Sequence, residues 1–97
     1  MPYIKPADRV KFNDSAKAIA DKAECAGDLN YAITVILHWY LKRKGVKYAN
    51  ANELMGMMDC CKAEFYRTVV APYEDVKMEE NSAVGILNDN DLQGKKY

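Results

Sequence analysis

Apolar residues recur along this chain at intervals of three and four positions, the period of an amphipathic α-helix. The first helix is expected to begin at a cap formed by Asn13 or Asp14 and to stop at Gly27. A separate helical turn, started by Pro6 and ending at Lys11, is expected before it. The apolar stripe of this helix consists of Phe12, Ala16, Ile19, Ala20 and Ala23.

The second predicted helix is apolar around most of its circumference. Asp28 opens it with a carboxylate at the positive end of the helix dipole, and Gly45 stops it after Lys44. A helix that is apolar nearly all round is buried nearly all round, so this helix needs cover on most of its sides. Its main face consists of Ile33, Ile36, Leu37, Tyr40 and Leu41, extended by Val35 and Trp39.

The third helix is expected to begin near Asn50, because Asn50 and Glu53 have the spacing of a capping box. It is expected to end near Val70, because Pro72 cannot extend it and pushes Ala71 toward an extended conformation. Its core stripe consists of Leu54, Met58, Cys61, Phe65 and either Val69 or Thr68.

These patterns predict an all-α fold, a small domain of three helices with a short N-terminal turn before them. The helical domain is expected to span residues 1–81. Residues 82–97 form a C-terminal tail with a weak apolar pattern and a polar end, so we expect this tail to be flexible and partly disordered.

Two partner helices in so small a chain cannot cover the second helix completely, and uncovered apolar surface of this kind marks a protein interface. We therefore expect a homo-oligomer, most simply a symmetric dimer whose second helices pack together. Each interface candidate also suits an ordinary core position. The candidates are Ile36, Trp39, Tyr40 and Met57.

The 97-residue chain has a formal net charge of zero, so no overall field draws it to nucleic acid or to an anionic membrane. Residues 1–72 carry eleven Lys and Arg against eight Asp and Glu, whereas residues 73–97 carry three against six. The three cysteines lack the spacing of a disulfide framework, and the sequence has neither a signal-peptide pattern nor an apolar run of about 18 residues. These features predict a cytoplasmic protein without a membrane span.

Signatures of catalysis and of metal binding are absent from the sequence. His38 and the cysteines at positions 25, 60 and 61 lack the spacing of a metal site, so neither a metal nor a cofactor is expected. Helical nucleotide hydrolases hold magnesium with Glu-x-x-Glu pairs on facing helices, and no such pair occurs here. The exposed face of the third helix mixes both charges, so helix-turn-helix binding to nucleic acid is not expected.

A small anionic ligand suits the remaining residues better. Lys62 and Arg67 lie on one flank of the third helix, and the arginine offers a planar fork for phosphate or carboxylate. Tyrosine faces stack on nucleobases, and Asn30 lies near the start of the second helix, where backbone N–H groups attract anions. The alternative is that Arg67 pairs with Glu64 or Glu74 and the tyrosines simply pack. The candidate ligand-binding residues are Asn30, Tyr31, Lys62, Tyr66, Arg67 and Tyr73.

Four segments of the chain resemble an uncharacterised family of short proteins from bacteriophages, prophages and bacteria. The segments are Met-Pro-Tyr-Ile-Lys-Pro-Ala-Asp-Arg (1–9), Gly-Asp-Leu-Asn-Tyr-Ala-Ile-Thr (27–34), Tyr-Leu-Lys-Arg-Lys-Gly (40–45) and Lys-Ala-Glu-Phe-Tyr-Arg-Thr-Val-Val-Ala-Pro-Tyr-Glu-Asp (62–75). The resemblance covers residues 1–81, and the last segment is its most specific part. After Asn81 the family continues with Gly-Asp-Val, whereas this chain continues with Ser82.

This resemblance implies a phage-related context and no mechanism, because the family has no agreed activity. Phage "sponge" proteins, which sequester the cyclic nucleotide signals of host immunity without cleaving them, are similar in size and helical character. We therefore expect non-enzymatic binding and sequestration of a small anion, such as a signalling cyclic nucleotide, in the host cytoplasm. The alternatives are a protein–protein interaction module that inhibits a host protein and, third, a magnesium-dependent nucleotide hydrolase.

Overall fold

A computed structural model describes residues 2–94, and these residues form helices and no strand, which confirms the all-α prediction. The helical segments are α1 (Pro6–Lys22), α2 (Ala26–Lys44), α3 (Tyr48–Phe65), a π-helical segment (Tyr66–Val70), α4 (Ala71–Asn81) and α5 (Asp89–Leu92). The π segment follows α3 and precedes α4 without a break, so the described residues contain three long helical stretches, as the sequence predicts.

The chain divides into two compact units, the first ending at Lys62 and the second beginning at Ala63. The first unit contains α1, α2 and most of α3, and the second contains the π segment, α4 and α5. The predicted boundary between a helical domain at 1–81 and a flexible tail at 82–97 stays a prediction. Residues 95–97 lie outside the described part of the chain. Within the rest of the predicted tail, Asn88 and Asp91 cap α5 through two reciprocal hydrogen bonds of 3.0 Å.

Helix α1 starts earlier than the sequence predicts. Pro6 occupies its first turn, where a missing N–H costs no hydrogen bond, and the turn expected at 6–11 continues directly into the helix. The prediction of an N-cap at Asn13 or Asp14 is therefore wrong, because the helix is already formed at those positions. The helix ends at Lys22, and the N–H of Ala23 donates to the carbonyl oxygen of Ile19 at 3.1 Å.

Helix α2 begins at Ala26, so the prediction that Gly27 ends the preceding helix is wrong. Asp28 explains the early start, because its carboxylate accepts the backbone N–H of Glu24 at 2.9 Å and holds the short connection against the first turn. The predicted stop at Gly45 is confirmed. Gly45 has a φ of 116°, which favours glycine, and its N–H donates to the carbonyl oxygen of Leu41 at 2.7 Å.

Helix α3 begins at Tyr48, two residues before the predicted capping box. The prediction that Asn50 caps this helix is wrong. The Asn50 side chain instead donates to the carbonyl oxygen of Gly45 at 2.9 Å and ties the start of α3 to the end of α2. The backbones of the two helices stay apart, since no Cα atom of α2 lies within 8 Å of a Cα atom of α3 up to Lys62.

The proline that was expected to end the third helix lies inside a continuous helical stretch. Ala71 has helical dihedral angles (φ −62°, ψ −47°), so the predictions of an extended Ala71 and of a helix end near Val70 are wrong. In an α-helix the ring of Pro72 would clash with the carbonyl group four residues earlier. The π segment widens the turn before Pro72, with the N–H of Ala71 donating to the carbonyl oxygen of Tyr66, five residues back. We attribute the continuation into α4 to this wider turn.

No side chain among residues 2–94 is buried. Helices α1 and α2 contact each other, and Ile19 of α1 and the following Ala23 are half-buried there. In the predicted stripe of the third helix, Leu54 and Met58 are half-buried, whereas Phe65 is 59% exposed. The faces that the sequence assigns to a core are therefore only partly covered in this chain.

Two glycines provide a matched test of this backbone. Gly45→Ala places a Cβ on a residue with φ of 116° and should destabilise the fold by about 1–3 kcal/mol. Gly56→Ala, inside α3 where an added Cβ meets no atom within 4 Å apart from its chain neighbours and its own helix backbone, should stabilise the fold by about 0.5–1 kcal/mol through helix propensity. Thermal unfolding followed by circular dichroism at equal protein concentration measures both variants. Shifts of the same sign in the two variants would contradict the assigned loop conformation.

Candidate functional site

The first unit contains an open cleft of about 460 Å³ between α2 and α3, which we name the α2–α3 cleft. Each helix contributes residues from a single face, because the lining positions recur at intervals of three or four along each helix. The lining consists of Ile36, Leu37, Tyr40 and Lys44 from α2 and Asn50, Glu53, Leu54 and Met57 from α3.

Three of the four predicted interface residues lie together in this cleft. Ile36 is 51% exposed, Met57 is 46% exposed, and the ring of Tyr40 lies at the same wall. Trp39 points elsewhere, into a shallow depression that it shares with His38. The structure thus brings Ile36, Tyr40 and Met57 into one apolar surface. That this surface contacts another copy of the chain stays a prediction.

The basic cluster that closes α2 is divided between two environments. The ammonium of Lys42 lies 5.2 Å from the ring centroid of Trp39, and the guanidinium of Arg43 lies 5.3 Å from that of Tyr40. Both distances are those of cation–π contacts within the helix. Lys44 instead lines the α2–α3 cleft, across from Glu53 on α3.

Arg67, the predicted phosphate ligand, is held by a carboxylate of the preceding helical turn. Its Nη2 donates to both carboxylate oxygens of Glu64, at 2.8 Å and 3.1 Å. Glu64 is the better shielded partner, with 19% of its side chain exposed against 67% for Arg67. The sequence permits two roles for Arg67, ligand binding or pairing with a nearby glutamate such as Glu64. A phosphate at Arg67 has to compete with this carboxylate.

Tyr66 makes a hydrogen bond that the sequence did not predict. Its hydroxyl donates to a carboxylate oxygen of Glu74 at 3.0 Å, across eight positions. In an unbroken α-helix, residues eight apart are separated by about 80° around the axis, whereas residues seven apart are separated by about 20°. The π segment adds one residue to the turn between them, so Tyr66 and Glu74 come onto nearly the same face.

The Glu74 carboxylate also changes the acidity of this tyrosine. The hydrogen bond from Tyr66 to Glu74, followed by the negative charge of Glu74, raises the pKa of the Tyr66 phenol above its ordinary value of 10.0. Both effects favour the neutral phenol, because a phenolate next to a carboxylate is repelled and has no proton to donate. Asp75 adds to the same repulsion.

The other predicted ligand-binding residues are spread over both units. Asn30 lies in the second turn of α2 rather than at its start, and its side-chain oxygen accepts the hydroxyl of Thr34 at 3.3 Å. Tyr31 is 72% exposed and lines a shallow depression between α1 and α2, and Lys62 is also exposed. In the second unit, Lys77 places its ammonium 5.6 Å from the ring centroid of Tyr73. A pocket shared by all six predicted residues stays a prediction.

Sequence reasoning overlooked the polar residues of the α2–α3 cleft. The sequence pattern assigns Asn50 and Glu53 to a capping box and gives Lys44 no role beyond the end of the second helix. The missed signal was the spacing of Asn50, Glu53 and Met57, which places them on the same helix face as the apolar wall.

Two further features bear on the chemistry of the described residues. Within residues 2–94, no three His, Cys, Asp or Glu side chains are grouped closely enough to hold a metal ion. No helix in this part of the chain combines the length and the apolar character needed to cross a membrane.

The fold and its clefts define a small all-α protein whose apolar faces remain open. The chain belongs to the family described as "Domain of unknown function (DUF6899)", which matches residues 1–84. This match confirms the resemblance to an uncharacterised family. Neither the comparison with curated proteins nor the comparison with solved structures found a match.

Glu74→Gln should lower the pKa of Tyr66 toward 10.0, because the substitution removes the charge that opposes the phenolate. The raised pKa means that the contribution of this hydrogen bond to stability is fully present below pH 10 and is lost as the pH rises through the folded-state pKa. NMR titration of ring-labelled tyrosines, with Tyr66 assigned through Tyr66→Phe, measures this change. Glu80→Gln, which removes the carboxylate paired with Lys77, is the control and should leave the Tyr66 titration unchanged. An unshifted Tyr66 in Glu74→Gln would contradict the assigned hydrogen bond.

Proposed function

We propose that this chain is a non-enzymatic binding protein that acts as an assembly of copies of itself. The observation that carries this proposal is that no side chain of residues 2–94 is buried. Burial of apolar surface is the main favourable contribution to folding and has to offset the lost conformational entropy of the chain. In this protein, the apolar surface that a single chain leaves exposed is buried by association with other copies.

The exposed area supports the same conclusion. The chain exposes 8950 Å², whereas a compact monomer of 11.0 kDa exposes about 5,600 Å². Even two separately compact units of about 7 and 4 kDa expose only about 6,700 Å² together. The excess of roughly 2,200 Å² per chain lies within the range that each subunit of an obligate dimer buries.

One apolar stripe runs along α2 and supplies surface for association. It consists of Leu29, Ile33, Ile36 and Tyr40, whose exposed fractions range from 37% to 51%. Full burial of an Ile or Leu side chain stabilises a protein by about 1.5–3 kcal/mol. Burial of this stripe against another copy therefore stabilises the protein by several kcal/mol per copy, which is a large share of the stability of a small protein.

We place this assembly in the cytoplasm, and in the host cytoplasm if the protein is phage-encoded. The state of the cysteines supports this location. Cys25, Cys60 and Cys61 are free thiols with exposed side chains. Exposed thiols persist in a reducing compartment, whereas disulfides form in an oxidising one.

A second candidate function is the sequestration of a small anion, such as a signalling cyclic nucleotide, by the assembled protein. The second unit offers an observation in its favour, since the ring of Tyr73 is 62% exposed and has the Lys77 ammonium beside it. An aromatic face next to a cation suits a base and its phosphate. The Arg67 guanidinium, with 67% of its side chain exposed, is the candidate phosphate ligand once it is released from Glu64.

Two other functions from the sequence are kept as alternatives. An inhibitor that docks on a host protein would use the same open apolar faces, and a pull-down from host lysate with the purified assembly tests it. A magnesium-dependent nucleotide hydrolase has less support, because no three His, Cys, Asp or Glu side chains among residues 2–94 are grouped closely enough to hold a metal ion. Magnesium-dependent turnover of a nucleotide would establish it.

Assembly should make folding depend on concentration. For a dimer, each tenfold dilution should lower Tm by roughly 3 °C, because dissociation exposes the surface that stabilises the fold. Sedimentation and circular dichroism over a hundredfold dilution series measure association and helicity together. A monomer that keeps its helicity and its Tm throughout the series would contradict the proposed function.

If the second candidate is correct, a ligand from a panel of cyclic dinucleotides, cyclic trinucleotides and cyclic ADP-ribose isomers should raise Tm. Arg67→Ala should then weaken binding about tenfold or more, since it removes a charged hydrogen-bond donor. Glu64→Gln should strengthen binding, because it removes the negative charge that competes with a phosphate for the Arg67 guanidinium. The control is Lys17→Ala, which removes an equal charge from an exposed pair in α1. The absence of a shift with every member of the panel would exclude the tested nucleotides as ligands.

A further inference from the structure

We propose that the α2–α3 cleft is covered by the same surface of a second copy, related by a two-fold axis. In this arrangement Lys44 of each copy pairs with Glu53 of the other. The inference rests on the proposed self-association and goes further, because it identifies the contact surface and the charges that set its register.

The distribution of polar and apolar residues in the cleft is that of a protein interface. Ile36, Leu37 and Met57 are among the apolar residues of its wall, and each of them is only partly covered or exposed. The charged residues of its lining are one cation and one anion. Apolar contact area with few charges, each able to find a partner, is typical of the centre of a subunit interface.

The two charges make the cleft complementary to itself. Among residues 2–94, neither Lys44 nor Glu53 forms an ion pair within the chain. A two-fold interface places the same patch on both subunits, so a patch with one charge of each sign can form two equivalent pairs across the axis. A strongly acidic or basic partner would gain no net attraction from this lining.

Lys44 is distinguished from its neighbours by the contacts of the basic cluster. Lys42 and Arg43 lie beside the aromatic rings of Trp39 and Tyr40. Lys44 is the member of the cluster that lines the cleft. The last turn of α2 therefore directs one cation toward the surface that we assign to the partner.

The area of the chain favours a second copy over a small ligand. The cleft of about 460 Å³ is large enough for a ligand, but a ligand of that size would leave most of the roughly 2,200 Å² excess per chain in water. A second chain with the same excess covers both surfaces at once. The separation between the backbones of α2 and α3 leaves room for side chains of another copy to enter between them.

Charge reversal tests the assigned pairing. Lys44→Glu and Glu53→Lys should each raise the dissociation constant of the assembly about tenfold or more, since each places like charges at both ends of a symmetric interface. The double variant with both changes should restore the constant to within about threefold of the unmodified protein. Reversal of Lys17 and Asp21, an exposed ion pair of α1, is the matched control and should have no effect.

A second pair of variants tests the apolar part of the surface. Ile36→Glu should dissociate the assembly at concentrations where Val10→Glu, at a more exposed apolar site on α1 (70% against 51%), does not. If the protein assembles but neither Ile36→Glu nor the charge reversals weaken it, the inferred surface is wrong and self-association stands. Weakening by both single reversals without recovery in the double variant overturns the Lys44–Glu53 pairing. A monomeric unmodified protein overturns the proposed function and this inference together.

Discussion

Helix α2 carries apolar side chains on more sides than its neighbours in one short chain can cover. Helix α1 covers part of one side, where Ile19 and Ala23 become half-buried, and no Cα atom of α3 up to Lys62 comes within 8 Å of a Cα atom of α2. The open cleft, the exposed apolar stripe and the large exposed area all follow from this shortage of cover. The stabilisation from hydrophobic burial is proportional to the area removed from water, and the self-association proposed above would supply the part that the chain does not bury by itself.

The sequence predicts the helical character of this protein well because the apolar period and the glycine at position 45 are local signals. Gly45 stops α2 where expected, since its backbone angles are unfavourable for other residues. The helix starts were predicted less well. Asn13, Asp14 and Asn50 are good N-cap residues by type, but a helix that has already begun needs no cap.

Residue type also could not reveal which partner each polar group has. The Asn50 amide donates to the carbonyl oxygen of Gly45, in the loop before α3. The capping-box spacing predicts instead a bond to the first turn of its own helix. Arg67 is held by Glu64, a pairing that the sequence permitted as one of two alternatives. The cleft residues Lys44 and Glu53 lie on different helices, so their presence at one surface depends on how α2 and α3 are placed beside each other. That placement is a tertiary feature without a local sequence signal.

Pro72 shows how one local rule is overridden by a change in helix geometry. A proline within an α-helix removes a hydrogen bond and creates a clash, yet the chain remains helical from Tyr48 to Asn81 through the wider π turn. The same turn brings Tyr66 into hydrogen-bond distance of Glu74. A pattern that assumes 3.6 residues per turn across this region assigns the wrong residues to a common face.

The lack of a buried side chain also affects how such a protein survives in a cell. A chain that depends on other copies for its burial is open to proteases until enough of it has been synthesised. With the proposed self-association, newly made chains would be degraded at low expression and protected at high expression. On the same proposal, the cellular lifetime of the protein is expected to rise with its abundance, so that assembled protein would accumulate only above a threshold of synthesis.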